Sequence, residues 1–154
     1  MACIALVVSV SVQIIRNQPP RWKPYTAASL QTALDQNQSV LIILSADWDP
    51  NVRLHERTAI NSIEAFRAIR NSGVTTLRAD ATNVDPAVMQ LMKDNGLISI
   101  PAFLLYNPAF RRDPIILKDF VSEEQLLDAI RFNSARSQDK EMDKKDSILR
   151  ANLR

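Results

Sequence analysis

The chain has 154 residues, enough for one domain with short extensions and a substantial core. Its formal net charge is +2, with both signs spread along the chain, so it carries no basic stripe that would mark a nucleic-acid binder. Its single cysteine, Cys3, excludes an intrachain disulfide, a Cys-x-x-Cys couple and a cysteine-rich zinc site.

Residues Ala2 to Ile15 are mostly apolar and end at Arg16. The run is shorter than the about twenty apolar residues that span a bilayer. It lacks the basic start of a signal peptide, although Ser9-Val10-Ser11 offers a small-x-small cleavage site. Three readings stand side by side. One is a short or truncated signal or anchor, with membrane association through residues 1–15. Another is a β-strand, because Val8 to Val12 alternates with period two. The third is an interfacial segment. Asn17 to Pro24 carries three prolines and reads as a linker. The expected organisation is an N-terminal segment and linker over 1–21, a folded domain over 22–133 and a charged tail over 134–154.

Thr26 is the expected N-cap of a helix running to about Asn37, with Leu30, Ala33 and Leu34 on one face. Val40-Leu41-Ile42-Ile43-Leu44 is a continuous apolar run, as expected of a central strand buried on both faces. The next helix is expected from near Pro50 to about Asn71, since Val52, Ala59, Ile63, Phe66 and Ile69 recur at helical spacing. Gly73 closes it. Val74 to Asp80 reads as a second strand. Asp85 then caps a short helix with Pro86 at its first position. Val88, Leu91 and Met92 form its apolar face, and Gly96 ends it. Ile98-Ser99-Ile100-Pro101 leads into a third strand, Ala102 to Tyr106, and Asn107-Pro108 turns into a fourth, antiparallel strand over Pro114 to Leu117. Ser122 and Gln125 make a capping box for a last helix with Leu126, Leu127 and Ile130 inward. From Ser134 the chain is mixed in sign and reads as a solvated or frayed tail. Strands alternating with helices predict an α/β fold: a central mixed sheet with helices on both faces.

This order resembles the thioredoxin superfamily, a three-layer sandwich. Within it, the likeness is to the C-terminal periplasmic domain of the thiol:disulfide interchange reductase DsbD and its relatives. The residues that carry it are Trp22-Lys23-Pro24-Tyr25-Thr26, Ser45-Ala46-Asp47-Trp48, Leu77-Arg78-Ala79-Asp80-Ala81-Thr82 and Ile98-Ser99-Ile100-Pro101-Ala102-Phe103. The likeness runs from about Trp22 to Ile130. In the family, a cysteine pair follows the tryptophan at the strand-to-helix junction. Here Trp48-Asp49-Pro50-Asn51-Val52 puts Asp49 and Val52 in the cysteine places. Many members also carry a buried carboxylate where this chain has Ile43. Pro101 occupies the place of the family's cis-proline, whose neighbouring backbone pairs with an extended substrate segment.

Thiol-disulfide exchange needs a thiolate that attacks sulfur. Neither Asp49 nor Val52 can supply one. An aspartate at a helix start accepts backbone N–H bonds and favours the positive end of the helix dipole. Asp49-Pro50 therefore reads as a stabilising cap, worth about 0.5–2 kcal/mol relative to alanine. Trp48 reads either as a recognition anchor or as packing over the helix start. His55, the lone histidine, has only scattered carboxylates near it in sequence and reads as a helix-surface residue rather than a metal ligand. No metal site and no cofactor is expected. Arg111-Arg112 reads as solvated charge, and Cys3 as an inert residue in an apolar segment.

The resulting expectation is a redox-inactive thioredoxin-like domain acting as a binding or scaffolding module. Its candidate groove is Trp48, Asp49, Pro50, Ile100 and Pro101, and its partner is a protein or peptide. By resemblance it sits in the cell envelope or periplasm, with the cytoplasm as the other compartment. The alternatives are a protein working within a thiol:disulfide redox complex, or an enzyme of another class using the same cleft.

Overall fold

The computed structural model describes residues 18–48 and 59–152, with side chains through Lys145. Its described elements run β1 (Lys23–Pro24), α1 (Ala27–Asp35), β2 (Val40–Ser45), α2 (Ile63–Asn71), β3 (Thr75–Asp80), α3 (Pro86–Asp94), β4 (Ala102–Asn107), β5 (Phe110–Lys118) and α4 (Glu123–Asn152). They form a five-stranded sheet of order β1-β3-β2-β4-β5. β1, β3 and β2 run parallel, whereas β4 is antiparallel to both β2 and β5. This is the thioredoxin-like α/β fold expected from the element order.

The apolar run of β2 is central because alternate side chains serve opposite faces of the sheet. Val40, Ile42 and Leu44 pack with Leu34 of α1, Leu91 of α3, Leu77 and Leu104. Leu41 and Ile43 pack on the other face with Ile69 of α2, Leu126 and Ile130 of α4, Phe103 and Leu105. Both faces are thereby covered, which explains why no polar residue interrupts positions 40–44.

Local chemistry starts and stops the helices as the sequence implies. Thr26 accepts from the Ser29 N–H at 2.9 Å, and the Ser29 hydroxyl accepts from the Thr26 N–H at 3.0 Å. Asp85 caps α3 through the Ala87 N–H, with Pro86 at the first helical position. Ser122 and Gln125 exchange bonds at 2.9 and 3.2 Å. Gly73 and Gly96 take φ values of +66° and +60° just past α2 and α3, where a side chain would be strained.

Four expectations need correction. The helix drawn as continuous to Asn71 is broken at Ser62, whose backbone is extended and whose side chain caps a fresh start by accepting from the Ala65 N–H at 3.0 Å. Lys23–Pro24, read as linker, pairs with β3 as an edge strand. It is held by Tyr25 N–H to Arg78 O at 2.8 Å and by the Thr76 hydroxyl donating to Arg21 O. The fourth strand is longer than Pro114 to Leu117, spanning Phe110–Lys118. Finally, the stretch from Ser134 that reads as a solvated or frayed tail is helical through Asn152.

The cause of that last difference is tertiary. The turn between β4 and β5 grips α4: Asn107 Nδ2 donates to Asn133 O at 2.9 Å and to Ser137 Oγ at 2.8 Å. Asn133 Nδ2 in turn donates to Ser39 Oγ at 3.0 Å. Arg136 pairs with Asp113 at 2.7 Å and stacks over the Phe110 ring at 4.1 Å. Lys140 lies over the same ring and bonds Ala109 O. No helix among the described residues is long and apolar enough to cross a membrane. Residues 1–17, including the apolar segment and Cys3, lie outside the described residues.

Candidate functional site

The carboxyl ends of β2 and β3 and the start of β4 meet at one end of the sheet. Leu44 pairs with Ala102, so the next step of the antiparallel register sets Pro101 across from Ser45. The Ile100–Pro101 peptide is cis. Pro101 is buried, and Ile100 packs against the core on the α1/α3 face. Beyond β2 the chain turns outward through Asp47 to Trp48, which is 65% exposed. Ile98, ahead of the cis peptide, is 98% exposed.

Hydrogen bonds hold the β2 and β3 ends together. The Ala81 N–H donates to Ser45 O at 2.8 Å, and the Asp47 N–H donates to Thr82 Oγ1 at 2.9 Å. Thr82 turns its own hydroxyl and N–H onto Asp80 Oδ1. Those two bonds hold the Asp80 carboxyl below its ordinary range, and the nearby Arg78 charge adds to them. The threonine therefore fixes the path of the chain into Trp48. Sequence reading did not single out its role, and the only local signal is the short Asp80-Ala81-Thr82 turn.

Ile43, at the place of the family's buried carboxylate, is fully enclosed. Its neighbours in register are Arg78 on β3 and Phe103 on β4. Arg78 Nη1 comes within 3.5 Å of Ser45 Oγ. The apolar side chain at 43 leaves that interior position without a proton-carrying group.

Of the expected groove residues, Trp48, Ile100 and Pro101 are brought to one end of the sheet. Asp49, Pro50 and Val52 lie outside the described residues, as does His55. Ile98 is the residue that sequence reading passed over as a mere approach to a strand, yet it is the most exposed large hydrophobic of this end. Among the described residues no group of three or more His, Cys, Asp or Glu is arranged to hold a metal ion. A cleft of about 870 Å³ lies at the opposite end, between the α1–β2 loop, the β4–β5 turn and α4, lined by groups such as Gln38, Ser72, Ser137 and Lys144. It shares no residue with the expected groove.

A family model described as thioredoxin-like matches residues 21–108. Among solved structures, the oxidised C-terminal domain of DsbD from Neisseria meningitidis aligns with a TM-score of 0.60 at 21% identity, over 73% of this chain and 99% of that one. Its reduced form aligns with a TM-score of 0.56 at 20% identity, over 70% and 96%. A thioredoxin from Thermus thermophilus aligns with a TM-score of 0.57 at 16% identity, over 74% and 86%. At these identities the likeness is one of fold. No curated protein matches the sequence. The matched span holds more than half of the chain, from the approach to β1 through the cis-proline strand β4, and this chain belongs to the thioredoxin-like family.

Proposed function

We propose that this protein is a redox-inactive thioredoxin-like module that binds a protein or peptide partner at the Trp48–Pro101 end of the sheet. The observation that carries this reading is the cysteine count. The one cysteine, Cys3, precedes the matched span, so the domain has no pair of thiols to cycle. A dithiol mechanism needs one thiolate to attack and a second to resolve the mixed disulfide. Without them, the surface at this end can contribute shape and backbone but no sulfur chemistry.

The exposed residues favour binding over mere structural retention. Trp48 and Ile98 are large and solvent-facing at the end of the sheet where Pro101 is buried. An extended segment laid along Ile98–Ile100 would cover both. Trp is a frequent anchor at interfaces, where truncation of a central contact commonly costs about 2 kcal/mol or more, roughly thirtyfold in affinity. Binding of an extended apolar peptide, followed by backbone amide shifts, is expected to perturb Ala46, Trp48, Ile98, Ser99, Ile100 and Ala102. Trp48→Ala and Ile98→Ser are each expected to weaken it by about tenfold or more. Affinity unchanged in both variants, or shifts confined to the opposite end of the sheet, contradicts this placement.

A further inference from the structure

The topology gathers four exposed apolar residues at the Trp48 end. Trp48 follows β2, Val84 lies between β3 and α3, Ile98 precedes β4 and Phe120 follows β5. Val84 is 69% exposed and Phe120 is 59% exposed. The strands β3, β2, β4 and β5 are consecutive in the sheet. At roughly 4.8 Å per strand, the row of four loops spans about 15 Å. Val84 has φ +48°, a left-handed conformation that strains a β-branched residue.

Carboxylates border these apolar tips. Asp47 precedes Trp48, Asp85 follows Val84, Asp119 precedes Phe120, and Asp80 ends β3. All four are exposed, and none is in an ion pair among the described residues. The described cations at this end are Lys118 and Arg78, the latter reaching toward Ser45. Among the described residues these four loop carboxylates outnumber the two cations, although the whole chain is +2. The hydrogen bonds from Thr82 favour the ionised form of Asp80.

We infer that the segment recognised here is a peptide with an apolar centre and basic flanks. This inference rests on the binding-module reading and names the chemistry of its partner. The apolar tips supply contact area, while the surrounding carboxylates select lysine or arginine at the ends of the segment and repel acidic ones. Charges at the rim of an interface mainly set partner choice, association rate and salt dependence.

Three labelled peptides test it, sharing one apolar centre and flanked by lysine pairs, serine pairs or glutamate pairs. Each is titrated with the full chain by fluorescence anisotropy, at about 0.01 M salt, where the screening length is about 30 Å, and at about 1 M, where it is about 3 Å. The lysine-flanked peptide is expected to bind about tenfold or more tightly than the glutamate-flanked one at low salt, with the gap closing to about threefold or less at high salt. Asp47→Asn combined with Asp119→Asn is expected to shrink the low-salt gap. Asparagine suits position 119, where φ is +62°. Equal binding of all three peptides, still lost in Ile98→Ser, overturns the charge preference while leaving the binding module intact. Absence of binding by every peptide overturns both.

Discussion

Phe103→Ala is expected to destabilise the domain by about 3–5 kcal/mol, while Ile98→Ala, five residues earlier, leaves stability unchanged within error. Phe103 is only 1% exposed. It is the second residue of β4, across from Ile43 of β2 and Leu117 of β5, and faces α2 and α4. Removing its ring leaves a cavity between sheet and helices that neighbouring strands cannot close without breaking register. Against a typical total of about 5–15 kcal/mol, the loss is a large share, and it corresponds to a fall in melting temperature of roughly 10 °C. Urea unfolding checks it: the midpoint falls while the slope stays constant. Ile98 has almost no packing to lose. Comparable destabilisation by both substitutions contradicts the division between a residue that holds the fold and one that is offered to a partner.

Asp49→Cys combined with Val52→Cys is expected to create a reactive dithiol where the natural chain has none. In the geometry that the family resemblance implies, a thiol at position 49 would meet the helix dipole and backbone N–H groups that favour the thiolate, and such thiols titrate at about 3.5–7.5 instead of about 8.5. Alkylation followed by mass spectrometry, performed in a Cys3→Ser background, should therefore show modification near pH 6. Oxidation should remove two thiols per chain. Turnover of a disulfide substrate is expected to stay below that of an active thioredoxin, because enclosed Ile43 cannot pass a proton. Cysteines that alkylate only above pH 8 and never pair would show that positions 49 and 52 do not occupy the redox geometry implied by the resemblance.

The parts of the fold legible in the sequence were those governed by local rules. Val40 to Leu44 announces a doubly buried strand because no polar residue interrupts it. Thr26, Asp85-Pro86 and Ser122…Gln125 announce helix starts because their side chains meet backbone groups two or three residues away. What was not legible depends on distant partners. Lys23–Pro24 becomes a strand only because β3 lies beside it. The continuation of α4 past Ser134 draws on Phe110, Asp113 and the Asn107 side chain, all from another part of the chain. Ser62 is an intermediate case: Ala59, Ile63, Phe66 and Ile69 keep helical spacing across it, yet its hydroxyl favours a break and leaves Ile63 partly exposed. At the candidate site, Trp48, Ile100 and Pro101 were recognisable through family resemblance. Ile98, Val84 and Phe120 were not, since a single apolar residue in a loop carries no periodic signal.

The decisive measurement is reduction of insulin disulfides by the purified natural chain, in the presence of a dithiol reductant and beside an active thioredoxin. A rate equal to that of the reductant alone, unaltered in Cys3→Ser, is the outcome that a thiol-free site requires. Catalysed reduction that persists in Cys3→Ser would mean that this domain moves electrons without the sulfur pair, and a role limited to binding could not stand.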